Sequence, residues 1–255
     1  ATATLRVPLH AGASYGKAML GARDTDADWT KLGASEPFWG VLTGPEHLSA
    51  NLDAQAIAAF YETGRSHIDY VRAHAQRLTG EAPPVRRALD FGCGVGRLSE
   101  AMAAHAEETF GYDIAAPMLA QARARSAGGV RYVDAMPAGP FDWINSYIVF
   151  QHIPPKRGLE LLDDLLSRLA PGGLLTLQIT IYNEERFVRP LLRSSWGRRL
   201  IEARRWFLPK GVISMYAYDF SSVCRVLHRH GVQTFTAMHE NHGGYHAVLL
   251  IGRRT

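Results

Sequence analysis

The fold is decided by the stretch ALDFGCGVGRLSEAM, residues 88–102. There an apolar run ends in Asp90, and Gly92, Gly94 and Gly96 follow at alternate positions before a helical pattern begins. A strand that passes through a glycine-rich turn into a helix begins a βαβ unit, and such a turn lets a ligand lie against the main chain. The dinucleotide fingerprint, G-x-G-x-x-G, has a different spacing. A glycine-rich turn by itself is also compatible with a tight turn that binds nothing.

Hydrophobic runs alternate with helical patterns from about residue 85 onward, and we predict parallel strands over 85–91, 107–114, 130–135, 141–150 and 174–181. The helix before the last of these is predicted to stop at Pro171, Gly172 and Gly173. Two further runs, 232–240 and 245–254, are joined by a short loop and must be antiparallel. The predicted fold is α/β, a Rossmann-like doubly wound sheet of seven strands, mostly parallel with an antiparallel C-terminal hairpin and with helices on both faces.

Composition excludes several classes of protein. Two cysteines, Cys93 and Cys224, are too few for a disulfide framework and predict a reduced, cytoplasmic setting. No window approaches about 18 uninterrupted apolar residues, and residues 1–12 lack a charged region before an apolar one, so we expect neither a membrane span nor a signal peptide. The net charge of +4 indicates nucleic acid only if the charge clusters.

A second acid, Asp113, ends the next predicted strand in the run GYDI, where a carboxylate can accept both hydroxyls of a ribose. Together these residues resemble the class I S-adenosylmethionine-dependent methyltransferases. LDFGCGVG matches the first motif of that family, Asp113 its ribose acid, and Asp134 with Ala135 its third motif. FDWINSYIVFQHIPP and RLAPGGLLTLQI match its fourth and fifth strands, so the resemblance covers 85–181 closely and the terminal hairpin loosely.

The resemblance implies S-adenosylmethionine as cofactor, with S-adenosylhomocysteine as its spent form. The implied contacts are Asp90, Gly92, Cys93, Gly94, Phe150 and Gln151 at the methionyl part, Asp113 at the ribose, and Ile114, Met118, Asp134 and Ala135 at the adenine. Arg65 is expected at the carboxylate of the methionyl part. Met118 is also compatible with a place in the core, and Asp134 with a turn cap.

The resemblance also divides the chain into four predicted parts. A helical leader that caps the site covers 1–84, and the S-adenosylmethionine-binding core covers 85–181. A substrate lid rich in arginine and aromatic residues covers 182–218, and a helix and hairpin that complete the sheet cover 219–255. A solvated amphipathic helix pair is the alternative for the lid.

His152 is the predicted general base. A hydroxyl acceptor is a poor nucleophile until its proton leaves, and a positioned base is worth roughly 10²–10⁴ in rate. His152 follows the fourth strand, where members of the family often present a polar side chain towards the transferred methyl. The alternative is that His152 only hydrogen-bonds the loop before Pro154 and Pro155. A nitrogen acceptor would need no base.

A cluster of histidine and glutamate lies in the run MHENHGGYH, as His239, Glu240, His242 and His246. A divalent metal is left open there but not predicted, because the spacing matches no closed zinc site and strand alternation puts these side chains on both faces of the sheet. We predict instead that Glu240 or His242 contacts the acceptor and serves in catalysis.

The acceptor is predicted from weaker signals. The leader resembles methyltransferases that accompany polysaccharide assembly, and the composition rich in alanine and arginine is typical of actinobacteria. This resemblance implies a hydroxyl of a sugar or oligosaccharide, of the kind capped in mycobacterial methylmannose polysaccharides by 1-O-methylation. A natural-product O- or N-methyltransferase is the alternative, and an RNA methyltransferase or a non-catalytic partner subunit is less favoured. Nucleic acid is disfavoured because 24 acidic residues nearly balance 28 basic ones. A monomer and a homodimer both stay open.

Overall fold

One seven-stranded sheet organises the computed structural model, which describes residues 24–80, 84–184 and 213–255. Its strands are β1 (Arg87–Phe91), β2 (Glu108–Tyr112), β3 (Val130–Val133), β4 (Phe141–Ser146), β5 (Leu169–Asn183), β6 (Thr234–His242) and β7 (Tyr245–Arg253). Their order in the sheet is β3-β2-β1-β4-β5-β7-β6, and β7 alone runs opposite to the other six strands. The predicted mostly parallel sheet with a C-terminal hairpin is confirmed.

Helices surround this sheet, and a helical leader precedes it. The helices of the leader are α1 (Thr25–Ser35), α2 (Pro37–Val41) and α3 (Ala54–Thr79). The helices that follow are α4 (Arg97–Met102), α5 (Ala116–Arg125), α6 (Pro155–Ser167) and α7 (Phe220–Arg229). The long helix α3 begins where the Asp53 side chain accepts from the backbone N–H of Ala56, and it ends at Gly80 with φ 81°. Short 3₁₀ turns cover Pro45–His47, Ser49–Asn51, Ala103–His105 and Phe150–His152.

The two faces of the sheet carry separate apolar cores. On one face, α3 and α4 pack through Ile68, Val71 and Met102 against β4, β5 and β7. On the other face, α6 and α7 cover a larger core that includes Leu89 and Phe150. The helices α1 and α2 pack on α5 and lie over the glycine-rich turn. The carboxyl ends of β1, β2 and β4 therefore meet beneath the leader, where ligands of such sheets bind.

The chain after α6 differs from the prediction. The helix ends at Ser167, and Leu169 already pairs with Phe141 of β4. The residues predicted to stop the helix lie inside β5, at a register shift where Gly172 has φ 75°. A bulge of this kind takes up extra residues without ending the strand, so the proline and glycines bend β5 and do not cap α6.

The predicted division into parts stays a prediction. Strand β5 extends to Asn183, so the sheet includes the first two residues of the predicted lid, and residues 185–212 lie outside the described residues. Residues 213–218 return to the sheet, where the Tyr218 N–H donates to the carbonyl of Thr180 at 2.8 Å. Among the described helices, none combines the length and the apolar character needed to cross a membrane.

Candidate functional site

The glycine-rich turn after β1 packs largely against the protein itself. Gly92, Gly94 and Gly96 have φ angles of 76°, 54° and 86°, in the left-handed region that favours glycine. A β-carbon at Gly92 would lie 2.5 Å from a methyl of Val149, and one at Gly96 would overlap the hydroxyl of Tyr132. Two of the three glycines are therefore required by packing within the protein, and they do not depend on a ligand.

Gly94 differs from its two neighbours. Among the described residues, the only atom within 4 Å of its missing β-carbon is a methyl of Val41 in α2, at 2.8 Å. The next residue back, Cys93, turns its side chain into the core, and burial raises the pKa of its thiol well above the usual range. Gly94 is buried beneath α2, so the leader covers this part of the turn.

Asp90 is 2% exposed at the end of β1 and is held by two side chains. The Ser99 hydroxyl donates to one of its oxygens at 2.6 Å, and the Asn145 amide donates to the other at 2.8 Å. Asn145 in turn accepts from the Thr176 hydroxyl at 2.6 Å, and Thr176 accepts from the Trp143 indole at 2.9 Å. Burial raises the pKa of Asp90, and the bonds from Ser99 and Asn145 oppose the rise. This network ties β1 to β4 and β5.

Asp113 follows β2 and braces the glycine-rich turn. Its two oxygens accept backbone N–H groups from Gly94 and Ala115, each at 2.8 Å. Burial raises the pKa of Asp113, and these backbone hydrogen bonds lower it. Each carboxylate oxygen has two lone pairs, so the half-buried acid can hold the turn and still accept a ribose hydroxyl.

The positions predicted for the adenine end differ in exposure. Ile114 is 41% exposed, and Asp134 and Ala135 are exposed directly after β3, so these three residues are accessible to a ligand. Met118 is 1% exposed and packs with Phe38 in the core that joins the leader to α5. Its predicted contact with adenine stays a prediction, and its place in the core is plain.

His152 is 6% exposed in the turn after β4, and both of its ring nitrogens have partners. Nδ1 lies 2.8 Å from the carbonyl oxygen of Ser214, and Nε2 lies 3.1 Å from the amide nitrogen of Gln151. A carbonyl only accepts, so Nδ1 carries the proton and Nε2 accepts from Gln151. Burial lowers the pKa of His152 to about 4, against the bond to Ser214. Near pH 7 the ring is neutral, and Gln151 occupies its basic nitrogen.

The same turn is held by the returning segment 213–218. The Tyr218 hydroxyl lies 3.0 Å from the carbonyl oxygen of Phe150 and 2.8 Å from that of Ile153. Phe150 is fully buried, and the Gln151 side chain accepts from a strand hydroxyl at 3.1 Å. These contacts give Phe150 and Gln151 a role in holding the turn, and their contacts with the cofactor stay predictions.

A second polar group, which we call the tyrosine cluster, lies on the α3 face and consists of Tyr147, Glu240, His242 and His67. The Tyr147 hydroxyl donates to Glu240 Oε1 at 3.3 Å, and Glu240 Oε2 lies 3.2 Å from His242 Nε2. The ring of His67 in α3 lies 4.0 Å from that of Tyr147. Gln178 is fully buried, and neither of its side-chain polar atoms has a partner within the described part of the chain.

Burial sets the charge of the tyrosine cluster. It lowers the pKa of His67 to about 4, with help from the charge of Arg97, and it raises the pKa of Tyr147, with help from Glu240. Near pH 7 both rings are therefore neutral. The side chains of Glu240 and His242 are 20% and 32% exposed, so this end of the cluster is open to solvent.

The other two histidines of the hairpin lie on the opposite face of the sheet. His239 Nε2 lies 2.9 Å from His246 Nδ1, and His246 Nε2 lies 3.1 Å from Glu184. This split is the one that strand alternation predicts. The residues that the structure describes contain no group of three or more histidine, cysteine, aspartate or glutamate side chains that could hold a metal ion.

The leader lies across the carboxyl ends of the strands. Arg157 of α6 donates two hydrogen bonds of 2.7 Å to the Asp26 carboxylate of α1. Trp29 of α1 packs edge-on against the ring of His152, with centroids 4.8 Å apart. The leader thus contacts both the glycine-rich turn and the turn after β4, and it covers both.

Two arginines, Arg65 of α3 and Arg97 of α4, line one cavity between these helices. Arg65, the predicted carboxylate ligand, is exposed on α3 and donates through Nε to Glu62 at 2.7 Å. Arg97 is 5% exposed, and its Nη1 donates to Thr63 at 3.2 Å. Its Nε has no partner among the described residues. Arg97 is thus a buried cation whose hydrogen bonds within the described residues are incomplete.

Sequence reasoning missed Arg97, Tyr147 and His67. Arg97 directly follows the last glycine of the turn, and Tyr147 lies within the run matched to the fourth strand, so both were inside recognised motifs. No local pattern shows that α3 brings His67 against them. That contact depends on how the leader packs on the sheet.

Comparison with known proteins agrees with this architecture. The chain matches the family described as Methyltransferase domain over residues 64–237. A trans-aconitate 2-methyltransferase of Rhizobium leguminosarum bv. trifolii (strain WSM2304) is 34% identical over 114 residues, 41% of this chain and 43% of that protein. A ubiquinone biosynthesis O-methyltransferase of Xanthomonas campestris pv. campestris (strain B100) is 30% identical over 154 residues, 56% of this chain and 58% of that protein. The chain spans about half the length of the curated relatives it matches.

Solved structures share the fold. Magnesium protoporphyrin IX methyltransferase (ChlM) of Synechocystis PCC 6803 with bound SAH has a TM-score of 0.60 at 18% identity, covering 91% of this chain and 100% of that one. CalS10, an amino pentose methyltransferase of Micromonospora echinaspora, has a TM-score of 0.53 at 19% identity, covering 80% and 99%. At these identities the likeness shows the fold alone. With its family match, strand order and glycine-rich turn, the chain belongs to the methyltransferase domain family and has the fold of the class I S-adenosylmethionine-dependent methyltransferases.

Proposed function

We propose that the chain transfers a methyl group from S-adenosylmethionine to a hydroxyl oxygen of a small-molecule acceptor, with His242 as base and Glu240 as its partner. The family supports methyl transfer, and matched relatives are named as O-methyltransferases of ubiquinone biosynthesis and of the malonyl-acyl carrier protein. The observation that carries the oxygen acceptor is the pair formed by His242 and Glu240 beside Tyr147.

The cofactor, when bound, supplies an electrophilic methyl group, and the protein must align the acceptor with it. Gly94, Asp113 and Ile114 would hold the cofactor at the carboxyl ends of β1 and β2. Asp90 lies on the same sheet face as Tyr147, because Asp90 accepts from Ser99 of α4 and the ring of Tyr147 contacts His67 of the neighbouring helix α3. An acceptor in the tyrosine cluster would therefore lie beside the methionyl end of the cofactor.

The His242 ring has the geometry of a base held by an acid. Its Nε2 lies 3.2 Å from Glu240 Oε2, so Nε2–H can donate to the carboxylate and Nδ1 then carries the lone pair. Within the described residues Nδ1 has no hydrogen-bond partner and can accept a proton from a hydroxyl. Glu240 orients the ring and stabilises the imidazolium that forms, as carboxylates do in acid–imidazole pairs.

Tyr147 and His67 complete the acceptor side. Tyr147 keeps its proton, because burial and Glu240 raise its pKa, and its hydroxyl donates a hydrogen bond to Glu240. The neutral ring of His67 covers Tyr147 from α3 and limits the access of water. Excluding water strengthens the electrostatic interactions of the site and prevents loss of the methyl group to solvent.

His152 is the competing candidate for the base. Its pKa of about 4 makes it a weak proton acceptor, and Gln151 occupies the nitrogen that would accept. These contacts favour a role in positioning the turn after β4. The prediction that His152 takes the proton is tested directly by comparing its variant with that of His242.

The range of acceptors stays broad in this proposal. A hydroxyl of a sugar or oligosaccharide is one candidate acceptor, which the sequence resemblance implies. Phenols and hydroxy acids are the other candidate acceptors. The fold likeness to an amino pentose methyltransferase, at 19% identity, adds nothing about the acceptor. The expectations of a cytoplasmic location and of no nucleic-acid substrate stay predictions.

The test uses purified protein, S-adenosylmethionine and a panel of oligosaccharides, phenols, hydroxy acids and matched amines. Methylated products are detected by mass spectrometry. We expect transfer to hydroxyl compounds, and we expect His242→Asn to lower kcat by about 10²–10⁴ while its affinity for S-adenosylhomocysteine stays unchanged. His239→Asn is the matched control, since His239 lies on the same strand but on the opposite face.

Three outcomes would overturn parts of this proposal. Transfer to the amines alone would refute the oxygen acceptor. Equal turnover of His242→Asn and His239→Asn would refute the assigned base. A collapse of turnover in His152→Asn, with His242→Asn unaffected, would return the role to His152.

A further inference from the structure

One stripe of α3 runs from the tyrosine cluster along the edge of the sheet. It consists of His67, Tyr70 and His74, which lie three and four positions apart and therefore on the same side of the helix. The ring centroid of His67 lies 4.0 Å from that of Tyr147, and the ring centroid of Tyr70 lies 4.2 Å from that of His74. The stripe thus extends the acceptor side of the proposed site away from Tyr147.

The edge strand β6 carries the other half of this surface. Met238, Glu240 and His242 alternate along the strand and so point to the same face of the sheet. The Tyr70 hydroxyl donates to Met238 Sδ at 3.2 Å, and Met238 and Tyr147 pack against the same core beneath α3. Two positions of a strand span about 6.6 Å, so Tyr70 contacts β6 about the width of one six-membered ring away from Glu240.

Tyr70 is held in place and half exposed at the same time. Its hydroxyl contacts Met238 and its ring contacts His74, yet the residue is 47% exposed. Burial and Glu240 raise the pKa of Tyr147, and Tyr70 adds to the rise, which indicates that the two tyrosines are close to each other. A fixed aromatic face beside an acceptor site is a surface on which a flat ring can stack.

Charge limits what can lie on this surface. Asp69 and Arg72 are close to Tyr70 along α3, and both act on His105, so they are directed towards the turn that follows α4. The acid Glu240 on β6 would repel an anionic ring. The surface therefore suits an uncharged ring, a property that the C–H face of a sugar shares with the face of an arene.

We propose that Tyr70 forms a second acceptor subsite, which binds an uncharged ring attached to the ring that is methylated. The reacting hydroxyl lies beside His242 and Tyr147, and the attached ring stacks on Tyr70. The acceptor is then a compound of at least two linked rings, such as an oligosaccharide or an aryl-substituted phenol. The proposal rests on the acceptor site proposed above, and it narrows the acceptors to extended ones.

Pairs of compounds with one ring and with two rings test this subsite. Methyl glucoside is paired with maltose, phenol with phenylphenol, and aniline with aminobiphenyl. Their affinity for the full chain loaded with S-adenosylhomocysteine is measured by calorimetry, and kcat/KM is measured wherever methyl transfer occurs. We expect the wild type to prefer the two-ring member of a pair. Tyr70→Ala should lower that preference by about 3- to 10-fold, the usual worth of one aromatic contact.

Two further variants separate stacking from other effects. Tyr70→Phe keeps the ring and loses the bond to Met238, so it should retain most of the preference. Tyr182→Ala is the matched control, because Tyr182 is also a half-exposed tyrosine stacked on a histidine, but it lies with His246 on the opposite face of the sheet. This control should retain the full preference. Binding of S-adenosylhomocysteine checks that each variant is folded.

Three results would overturn the subsite: a wild type that does not prefer two rings, a Tyr70→Ala variant that keeps the preference, or a loss of the preference in Tyr182→Ala instead. A preference that Tyr70→Ala lowers supports the subsite, and the pair that shows it tells whether the second ring is a sugar or an arene. Methyl transfer to the amines alone, with a two-ring preference that depends on Tyr70, would refute the oxygen acceptor and still support the subsite.

Discussion

Acid should destabilise this protein through two buried imidazoles, His152 and His67. Burial lowers the pKa of each from 6.5 to about 4. Above pH 6.5 neither the folded nor the unfolded state protonates them. As the pH falls below 6.5 the unfolded chain takes up two protons that the folded protein refuses until about pH 4. The free energy of unfolding therefore decreases as the pH falls through this window.

The magnitude follows from the size of the shift. Each histidine whose pKa falls from 6.5 to about 4 on folding lowers the free energy of unfolding by about 2 kcal/mol between pH 7 and pH 5. The two histidines together lower it by about 4 kcal/mol. The raised pKa values of Asp90 and Asp113 act in the opposite direction, because a folded acid that binds its proton more readily gains stability as the pH falls. The effect of one histidine is therefore isolated by comparing variants.

His152→Asn is the informative variant. The Asn amide can still donate to the carbonyl of Ser214, but it does not titrate. The free energy of unfolding is measured in urea at pH 7 and pH 5. Between these pH values the variant should lose about 2 kcal/mol less than the wild type loses. His228→Asn, at an exposed position of α7, keeps both buried rings and should lose as much stability as the wild type. An equal loss in wild type and His152→Asn would refute the neutral, buried imidazole.

Two further predictions concern the β1 turn. Asn145→Leu removes the amide that donates to Asp90, which leaves a buried carboxylate oxygen unpaired and should cost about 3–5 kcal/mol in urea unfolding at pH 7; a wild-type midpoint would contradict the network. Gly96→Ala, at φ 86° and against the Tyr132 hydroxyl, should lower the thermal midpoint well below that of Gly128→Ala, which has φ 94° but open space and should cost only about 1–2 kcal/mol. Equal midpoints would show that Tyr132 does not restrict Gly96.

Local patterns predicted most of the core. The strands β1 to β4 and the C-terminal hairpin fall within or close to the predicted ranges, because each is a short run with its own periodicity and turn residues. The loop of the hairpin is the pair Gly243 and Gly244, with φ 66° and 97°, as a tight antiparallel connection requires. The bulge in β5 escaped prediction, since proline and glycine mark helix ends and strand bulges alike.

The cofactor site was predicted in outline and the acceptor site only in part. Asp90 and Asp113 lie at the ends of β1 and β2, where the order of strand and turn places them. Glu240 and His242 were identified by composition, but their partner Tyr147 was not. Tyr147 and Glu240 are 93 positions apart, and only the pairing of β7 between β5 and β6 brings them together.

By itself, the amino-acid sequence determined the order of strands and helices, the glycine-rich turn and the acids that follow two strands, because these depend on neighbours within a few residues. The tertiary structure alone decided which polar groups are buried and what they bond. His152 is neutral because distant segments, including Trp29 of α1, bury it and lower its pKa, and Arg97 is desolvated because α3 packs over it. Burial and hydrogen bonding are set by contacts between distant segments, and no local pattern of residues contains them.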